Sequence, residues 1–387
     1  MKILFFNYEY PPLGGGAAYA SQNILKEYSK IPGLEVDFVT SSIDNEYHLE
    51  KVSENIRVHR LSIGKNESNM TYQSQKELLI YAWKAYIFSK KLIEEAEKNK
   101  KPYDLTHSFF TVPCGFVSML LKRKYKLPYI VSLRGSDVPG YSERFSAIYY
   151  ILTPIIVHIW KKAEAVMANS QLLKELALKS YSKREIGVIY NGINVDYFRP
   201  GVFPKNKNFT LLCASRLSRR KGFNYAIDAF AKIHEKYPEA RLVIAGGEGN
   251  AEEEWKKQVK DLKLEDKITF TGFVTPNTEF LKYYNAADVF VFPSANEGMS
   301  NNMLEAMASG LAVIMTPTGG ANELVKDGAN GYIVGFRDSV AIAEKMETLI
   351  NNPELCRRMG EESRRIAETM SWQSVAGEYF ELYKKVI

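Results

Sequence analysis

The sequence predicts an α/β protein built from two doubly wound domains, and three observations carry that expectation. The chain has 387 residues, beyond the size at which one hydrophobic core keeps growing. Short apolar runs alternate with longer amphipathic segments from end to end, as parallel strands alternate with crossover helices. That alternation stops at Arg199-Pro200-Gly201 and Pro204 to Asn208, a polar stretch without periodicity, and then begins again.

In chain order, the first half offers strands at residues 3–6, 34–40, 56–61, 129–133, 165–168 and 187–190. Each is an apolar run of strand length. Helical stretches such as 17–30 and 73–99 separate them. The second half restarts with strands at 209–214, 241–245, 268–271, 289–292 and 312–316, and with helices near 223–236, 302–308 and 338–350. The domains are therefore expected at 1–200 and 201–371. Doubly wound sheets bind ligands beyond the carboxyl ends of their strands, so two of them joined by a hinge put function on the loops around a shared cleft.

Composition narrows the class further. The chain is 45% apolar and 25% charged, which is ordinary for a globular protein. Cys114, Cys213 and Cys356 are odd in number and widely spaced, which argues against a disulfide framework and against a C-x-x-C site. Only residues 3–6 form an apolar run near the start, too short for the hydrophobic region of a signal peptide, so a cytoplasmic protein is expected. Net charge is +6, with the first 200 residues at +7 and the rest at −1. Basic clusters at Lys98, Lys100 and Lys101 and from Lys122 to Lys126 are either solvated helix ends or a face for something acidic. The uncharged stretch 145–160 contains Pro154 and is too short to span a bilayer. It reads as a buried helix or, with Lys161 and Lys162, as a peripheral contact with an anionic membrane. No nucleic-acid partner is expected.

Six loops could carry chemistry. After the first strand, Pro11-Pro12-Leu13-Gly14-Gly15-Gly16 precedes a helix, which makes either an anion cradle or a flexible turn. Tyr19 stands where a dinucleotide fingerprint needs its third glycine, which argues against a nicotinamide enzyme. After the strand ending at Ala214, Arg216, Arg219, Arg220 and Lys221 crowd into six residues. A diphosphate would satisfy their charge and their donors. After Phe292, a loop holding Glu297 leads into a helix capped by Ser300 or Asn301 and ended by Gly310, with Glu305 one turn inside. Carboxylates so placed can accept hydrogen bonds from a sugar and a ribose. Thr316 to Glu323 repeats the strand, glycine loop and helix on the neighbouring strand. The turns Gly246 to Gly249 and Thr271 to Val274 either line a base pocket or are tight turns.

With these residues in hand, the chain closely resembles the retaining GT-B glycosyltransferases of glycosyltransferase family 4. The resemblance rests on the glycine-rich first loop, Asn191-Gly192-Ile193-Asn194-Val195-Asp196, Arg216 to Gly222, and the pair Glu297 and Glu305. It implies two Rossmann-like domains facing a cleft, the first for the acceptor and the second for the donor. The last helix, 372–387, would cross back to the N-terminal domain. The donor implied is a nucleotide-diphosphate sugar, UDP or GDP, and the acceptor is a glycan, a glycolipid or a small molecule. Arg216 and Lys221 would hold the diphosphate, with Gly15 and Gly16 closing on it from the first domain. Glu297 and the backbone of Met299, Ser300 and Asn301 would address sugar and phosphate. Glu305 would bind the ribose, while Gly272 and Val274 would lie by the base.

One departure from the family pattern concerns the loop after residues 129–133. Many relatives carry His-Gly there and this chain has Arg134-Gly135-Ser136-Asp137. Arg134 either contacts a phosphate or an acidic acceptor, or pairs with Asp137 in a structural turn. His107 matches a family histidine and reads as structural. With no Asp-x-Asp at a cleft-facing strand end and no His or Cys cluster, neither a metal nor another cofactor is expected. Two alternatives stand beside this reading. An inverting transferase would need Glu9 or Asp137 as general base, and a two-lobed sugar-binding protein would need no catalysis at all.

Overall fold

The apolar runs become the strands of two sheets in a computed structural model that describes residues 1–65, 73–141, 146–247, 249–274 and 279–387. Two units result: Met1–Gly192 together with Trp372–Ile387, and Ile193–Ser371. Glu248 of the Gly246 to Gly249 turn and Phe145 of the uncharged stretch lie outside the described residues.

Unit 1 opens with β1 (Lys2–Phe6), α1 (Gly16–Tyr28), β2 (Glu35–Ser41), β3 (His48–Lys51) and β4 (Ile56–Leu61). It continues with α2 (Gln75–Lys98), β5 (Leu105–Phe109), α3 (Phe116–Tyr125) and β6 (Tyr129–Ser132). Then come α4 (Ser146–Lys162), β7 (Ala165–Ala168), α5 (Gln171–Ser180) and β8 (Gly187–Val188). The sheet order is β3-β4-β2-β1-β5-β6-β7-β8, parallel except that β3 runs against β4. Strand order reverses beside β1, so the loops after β1, β5 and β6 share one carboxyl edge.

Unit 2 begins with β9 (Thr210–Ala214), α6 (Phe223–Ile233), β10 (Arg241–Ala245), α7 (Glu252–Asp261) and β11 (Ile268–Phe270). After α8 (Phe280–Ala286) come β12 (Val289–Phe292), α9 (Asn301–Ala308), β13 (Ala312–Met315) and α10 (Ala321–Leu324). It ends with β14 (Gly331–Ile333), α11 (Ser339–Ile350) and α12 (Pro353–Glu368), and α13 (Trp372–Val386) returns to unit 1. All six strands are parallel, in the order β11-β10-β9-β12-β13-β14. Their switch point lies between β9 and β12, the strands that precede the basic cluster and the Glu297 loop. The polar stretch after Arg199 belongs to this unit, where the N–H groups of Val202 and Phe203 donate to Asn285 Oδ1 at 2.8 and 3.1 Å.

Local rules explain most boundaries. Ser74 and Glu77 close a reciprocal capping box on α2, and Asn352 caps α12 ahead of Pro353. Of the strands absent from the expected set, β3, β5 and β14, β5 is the one that lies at the centre of a sheet. Thr106, His107 and Ser108 make it read as polar, yet they are fully buried because each finds a partner inside. Thr106 Oγ1 donates to Ser118 Oγ at 2.8 Å, and Ser108 Oγ lies 2.8 Å from the same hydroxyl. The two ring nitrogens of His107 bond Tyr383 and Ser132, at 2.7 and 2.8 Å. Tyr383 lies on α13, whose Trp372, Val375, Ala376 and Tyr379 join the unit 1 core.

Candidate functional site

The loops after β9 and β12 interlock at the switch point of unit 2. Gly222 ends the basic turn with φ +67°, and a Cβ there would sit 2.3 Å from the Pro293 carbonyl, so only glycine permits this approach. Ala295 N–H donates to the Arg220 carbonyl at 2.8 Å, which ties the loops together. Lys221 Nζ lies 2.8 Å from Glu297 Oε1, and Ser294 Oγ donates to the same oxygen at 2.7 Å. Arg220 Nη1 is 3.4 Å from it and also donates to the Asn296 carbonyl. Burial would raise the Glu297 carboxyl, but Lys221, Arg220 and the Ser294 hydroxyl bring it down to about 2. Burial lowers the Lys221 ammonium, and Glu297 opposes that loss. Both side chains are nearly enclosed, whereas Arg216 is exposed and close enough for its charge to depress Lys221 as well.

The second glycine loop shapes this site from beneath. A Cβ on Gly319 would fall 2.3 Å from Glu297 Cβ, and one on Gly320 would fall 2.6 Å from Met299 Sδ. Ser300 N–H donates to the Gly319 carbonyl at 3.2 Å, and its Oγ caps α9 by accepting from Met303 N–H. Met299 is buried behind this start and Asn301 begins the helix. Glu305 follows on α9, where its Oε2 accepts from the Tyr284 hydroxyl at 2.9 Å and Asn302 Nδ2 donates to that hydroxyl at 3.2 Å. Burial raises the Glu305 carboxyl to about 7, with the Tyr284 bond opposing. Further along the sheet edge, Gly272 bridges Gly246 and adopts φ +70°, while Val274 is buried. The structure thus unites Lys221 with Glu297, sets Arg216 beside them and places Glu305 on the helix that follows.

In unit 1 the glycine loop encloses a carboxylate of its own. Gly15 N–H donates to Glu9 Oε2 at 3.4 Å, and a Cβ on Gly14 would meet Glu9 at 2.7 Å. Gly15 precedes α1 and Gly16 is exposed at its first turn. Asp137 is committed to the fold. Its Oδ1 accepts from the N–H groups of Arg134 and Gly135, and its Oδ2 accepts from the N–H and hydroxyl of Thr111. Four such donors make a structural turn, not a free base. His107 stacks on Phe5 at 4.3 Å, and burial together with the Arg134 charge keeps its imidazole neutral.

Comparison with known proteins decides the lineage. Residues 14–197 match the family model "Glycosyltransferase Family 4", and residues 196–366 match "Glycosyl transferases group 1". The chain belongs to the group 1 glycosyltransferases of family 4. It is 26% identical over 378 residues to an uncharacterized glycosyltransferase of Methanocaldococcus jannaschii, spanning 96% of this chain and 95% of that one. It is also 26% identical to the D-inositol 3-phosphate glycosyltransferase of Corynebacterium glutamicum, over 92% of this chain and 88% of the relative. Among solved structures, the sucrose-phosphate synthase of Thermosynechococcus elongatus shares its fold, with TM-score 0.82, 23% identity and 100% and 98% of the two chains covered. Anabaena HepE in complex with UDP and glucose does too, at TM-score 0.76, 21% identity and 99% of each chain. Both are GT-B glycosyltransferases, and two parallel Rossmann-like sheets make this chain one by architecture.

Sequence reasoning missed two residues of this candidate site, Tyr284 and Ser294. Tyr284, the partner of Glu305, sits on α8, a helix of 7 residues too short to show a clear period. Ser294 is an ordinary loop serine until the fold sets it against Glu297. Gly319 and Gly320 were visible as a second cradle, but their packing on Glu297 and Met299 needed the structure. Among the described residues no three His, Cys, Asp or Glu side chains gather as metal ligands.

Proposed function

We propose that this glycosyltransferase moves a hexose-type sugar from a UDP or GDP sugar to an acceptor hydroxyl, with retention of anomeric configuration and without a metal. Unit 2 would hold the donor and unit 1 the acceptor, in the making of a polysaccharide, glycolipid or other glycoconjugate. The observation that carries this reading is the enclosed Lys221–Glu297–Ser294 cluster at the unit 2 switch point, with Arg216 and Arg220 around it. Negative charge grows on the diphosphate as the glycosidic bond breaks, and fixed cations stabilise that charge without reorganising. The acceptor oxygen then bonds the anomeric carbon on the face the diphosphate leaves, and its proton passes to the leaving phosphate oxygen. No protein nucleophile takes part, so catalysis is positioning and electrostatics. HepE, solved with UDP and with UDP-glucose, supports the donor class. The commitment of Asp137 to backbone donors counts against an inverting base there. Turnover of a UDP- and GDP-sugar panel tests the reading, with the product anomer assigned by NMR and excess chelator in one arm. An inverted product, or activity that returns only with added magnesium or manganese, would sink the finer part.

A second reading concerns where the enzyme works, at the inner face of the cell membrane. The uncharged stretch reads as a buried helix, and one face of α4 is indeed buried at Ile156, Ile159 and Trp160. Its other face is bare: Tyr150 is 88% and Ile151 72% exposed, beside Ile155 and ahead of Lys161 and Lys162. On α2, Leu79, Trp83 and Ile87 form a similar exposed stripe at helical spacing. Among the described residues no helix is long and apolar enough to cross a membrane. Such faces suit peripheral contact with anionic lipid, with each basic side chain near the surface worth about 1 kcal/mol.

A further inference from the structure

Arg134 holds a positive charge inside unit 1 that forms no ion pair among the described residues. It follows β6 at the carboxyl edge of the sheet. Nη1 donates to Asn191 Oδ1 at 2.8 Å, Nη2 donates to the Tyr379 hydroxyl at 3.3 Å, and Cζ stacks 3.4 Å from the centre of the Phe109 ring. Nε is buried without a hydrogen-bond partner. The carboxylate of Asp137 is spent on backbone donors and the Thr111 hydroxyl, so it acts on this guanidinium through space and forms no ion pair with it. Elsewhere in unit 1 Arg57 meets Asp37, Arg60 meets Glu50 and Lys65 meets Glu77, while Arg184 is satisfied by the carbonyls of Ala163 and Glu164.

A guanidinium set by an amide oxygen, a hydroxyl and an aromatic face is oriented but not neutralised. Burying a charge is costly unless a counter-charge accompanies it. Arg134 is part-buried, and an oxyanion that met its two terminal nitrogens would take two parallel hydrogen bonds from the planar fork. We propose that Arg134 is an acceptor-specificity residue, receiving a carboxylate or phosphate carried by the sugar acceptor, so that this glycosyltransferase selects anionic acceptors. The inference rests on the transferase reading above and deepens it.

Titration calorimetry with glucose 6-phosphate, glucuronate and glucose, each at saturating UDP, tests it on the whole chain and on Arg134→Gln and Arg134→Lys. In the native protein at least one anionic sugar should bind tenfold or more tightly than glucose, and which of the two does so separates phosphate from carboxylate. Arg134→Gln should abolish that preference and Arg134→Lys should reduce it, with glucose binding unchanged. Equal binding of the three probes by the native protein overturns the proposal, and that comparison decides even if a variant fails to fold. So does a preference that survives in Arg134→Gln while UDP affinity falls, because Arg134 would then serve the donor. UDP binding in the same cell keeps the failures apart: a native chain that binds neither UDP nor GDP refutes the transferase reading, not the acceptor assignment.

Discussion

At the scale of single residues, the proposed function would make the pair Lys221 and Glu297 couple stability to catalysis. Lys221→Ala should lower kcat about a hundredfold, about 3 kcal/mol, because it removes a contact that strengthens as charge develops. It also strands Glu297 among fewer cations, and breaking a buried pair costs about 3–5 kcal/mol of stability. The double change Lys221→Met with Glu297→Gln separates these effects, since it should restore the melting temperature and leave kcat low. Recovery of kcat in that double variant would make the cluster a structural device. Glu305 supplies a pH signature. Its carboxyl sits at about 7 in the folded chain against an ordinary 4.5, so the folded state binds the extra proton between those values. The stability this group contributes is therefore present at low pH and lost as pH rises towards 7. If Glu305 binds the donor ribose, donor binding has the opposite slope, because ribose hydroxyls would donate to the ionised form. Donor KM should stay flat above pH 7 and climb below it, and Glu305→Gln should flatten the profile. A native KM independent of pH from 5.5 to 8.5 would remove the ribose assignment.

At the scale of elements, α4 shows how far periodicity reaches. Its run of apolar residues signals a helix, and the uncharged stretch 145–160 is too short to span a bilayer, but a helix apolar all round does not reveal which side the sheet will take. Only packing divides it, with Ile156, Ile159 and Trp160 inward and Tyr150, Ile151 and Ile155 outward. The outward face predicts retention by liposomes containing anionic lipid at low salt. Ile151→Glu should release the protein while leaving its fold within about 0.5 kcal/mol, as surface changes usually do. Equal recovery in the supernatant with neutral and anionic liposomes, for the unaltered protein, would dismiss the contact. The element β5 fails in the opposite sense. A strand of Leu, Thr, His, Ser and Phe carries no apolar signal, and its burial is possible only because Ser118, Ser132 and Tyr383 answer its polar groups.

At the scale of the whole molecule, α13 holds the polar core of unit 1 in place. The Tyr383 hydroxyl lies 2.6 Å from that of Tyr28 and 2.7 Å from His107 Nδ1, with all three groups buried. Tyr383→Phe leaves two buried polar groups wanting a partner, which should cost about 1–3 kcal/mol. Thermal melting should show unit 1 loosening earlier while nucleotide binding by unit 2 persists, and an unchanged transition would show that the network is slack. The sequence by itself determined the α/β class, the restart of the pattern after Arg199, and the loops that bear Arg216, Lys221 and Glu297. Those features are local: alternation, glycine before a helix, and charge density are written in a few adjacent residues. The tertiary structure alone decided that Tyr284 meets Glu305, that Ser294 meets Glu297, and that Arg134 is set by Asn191, Tyr379 and Phe109 with no ion-pair partner among the described residues. Arg134 and Tyr379 stand 245 positions apart. No local pattern encodes such a meeting, because a buried polar group is satisfied by whatever the topology brings beside it.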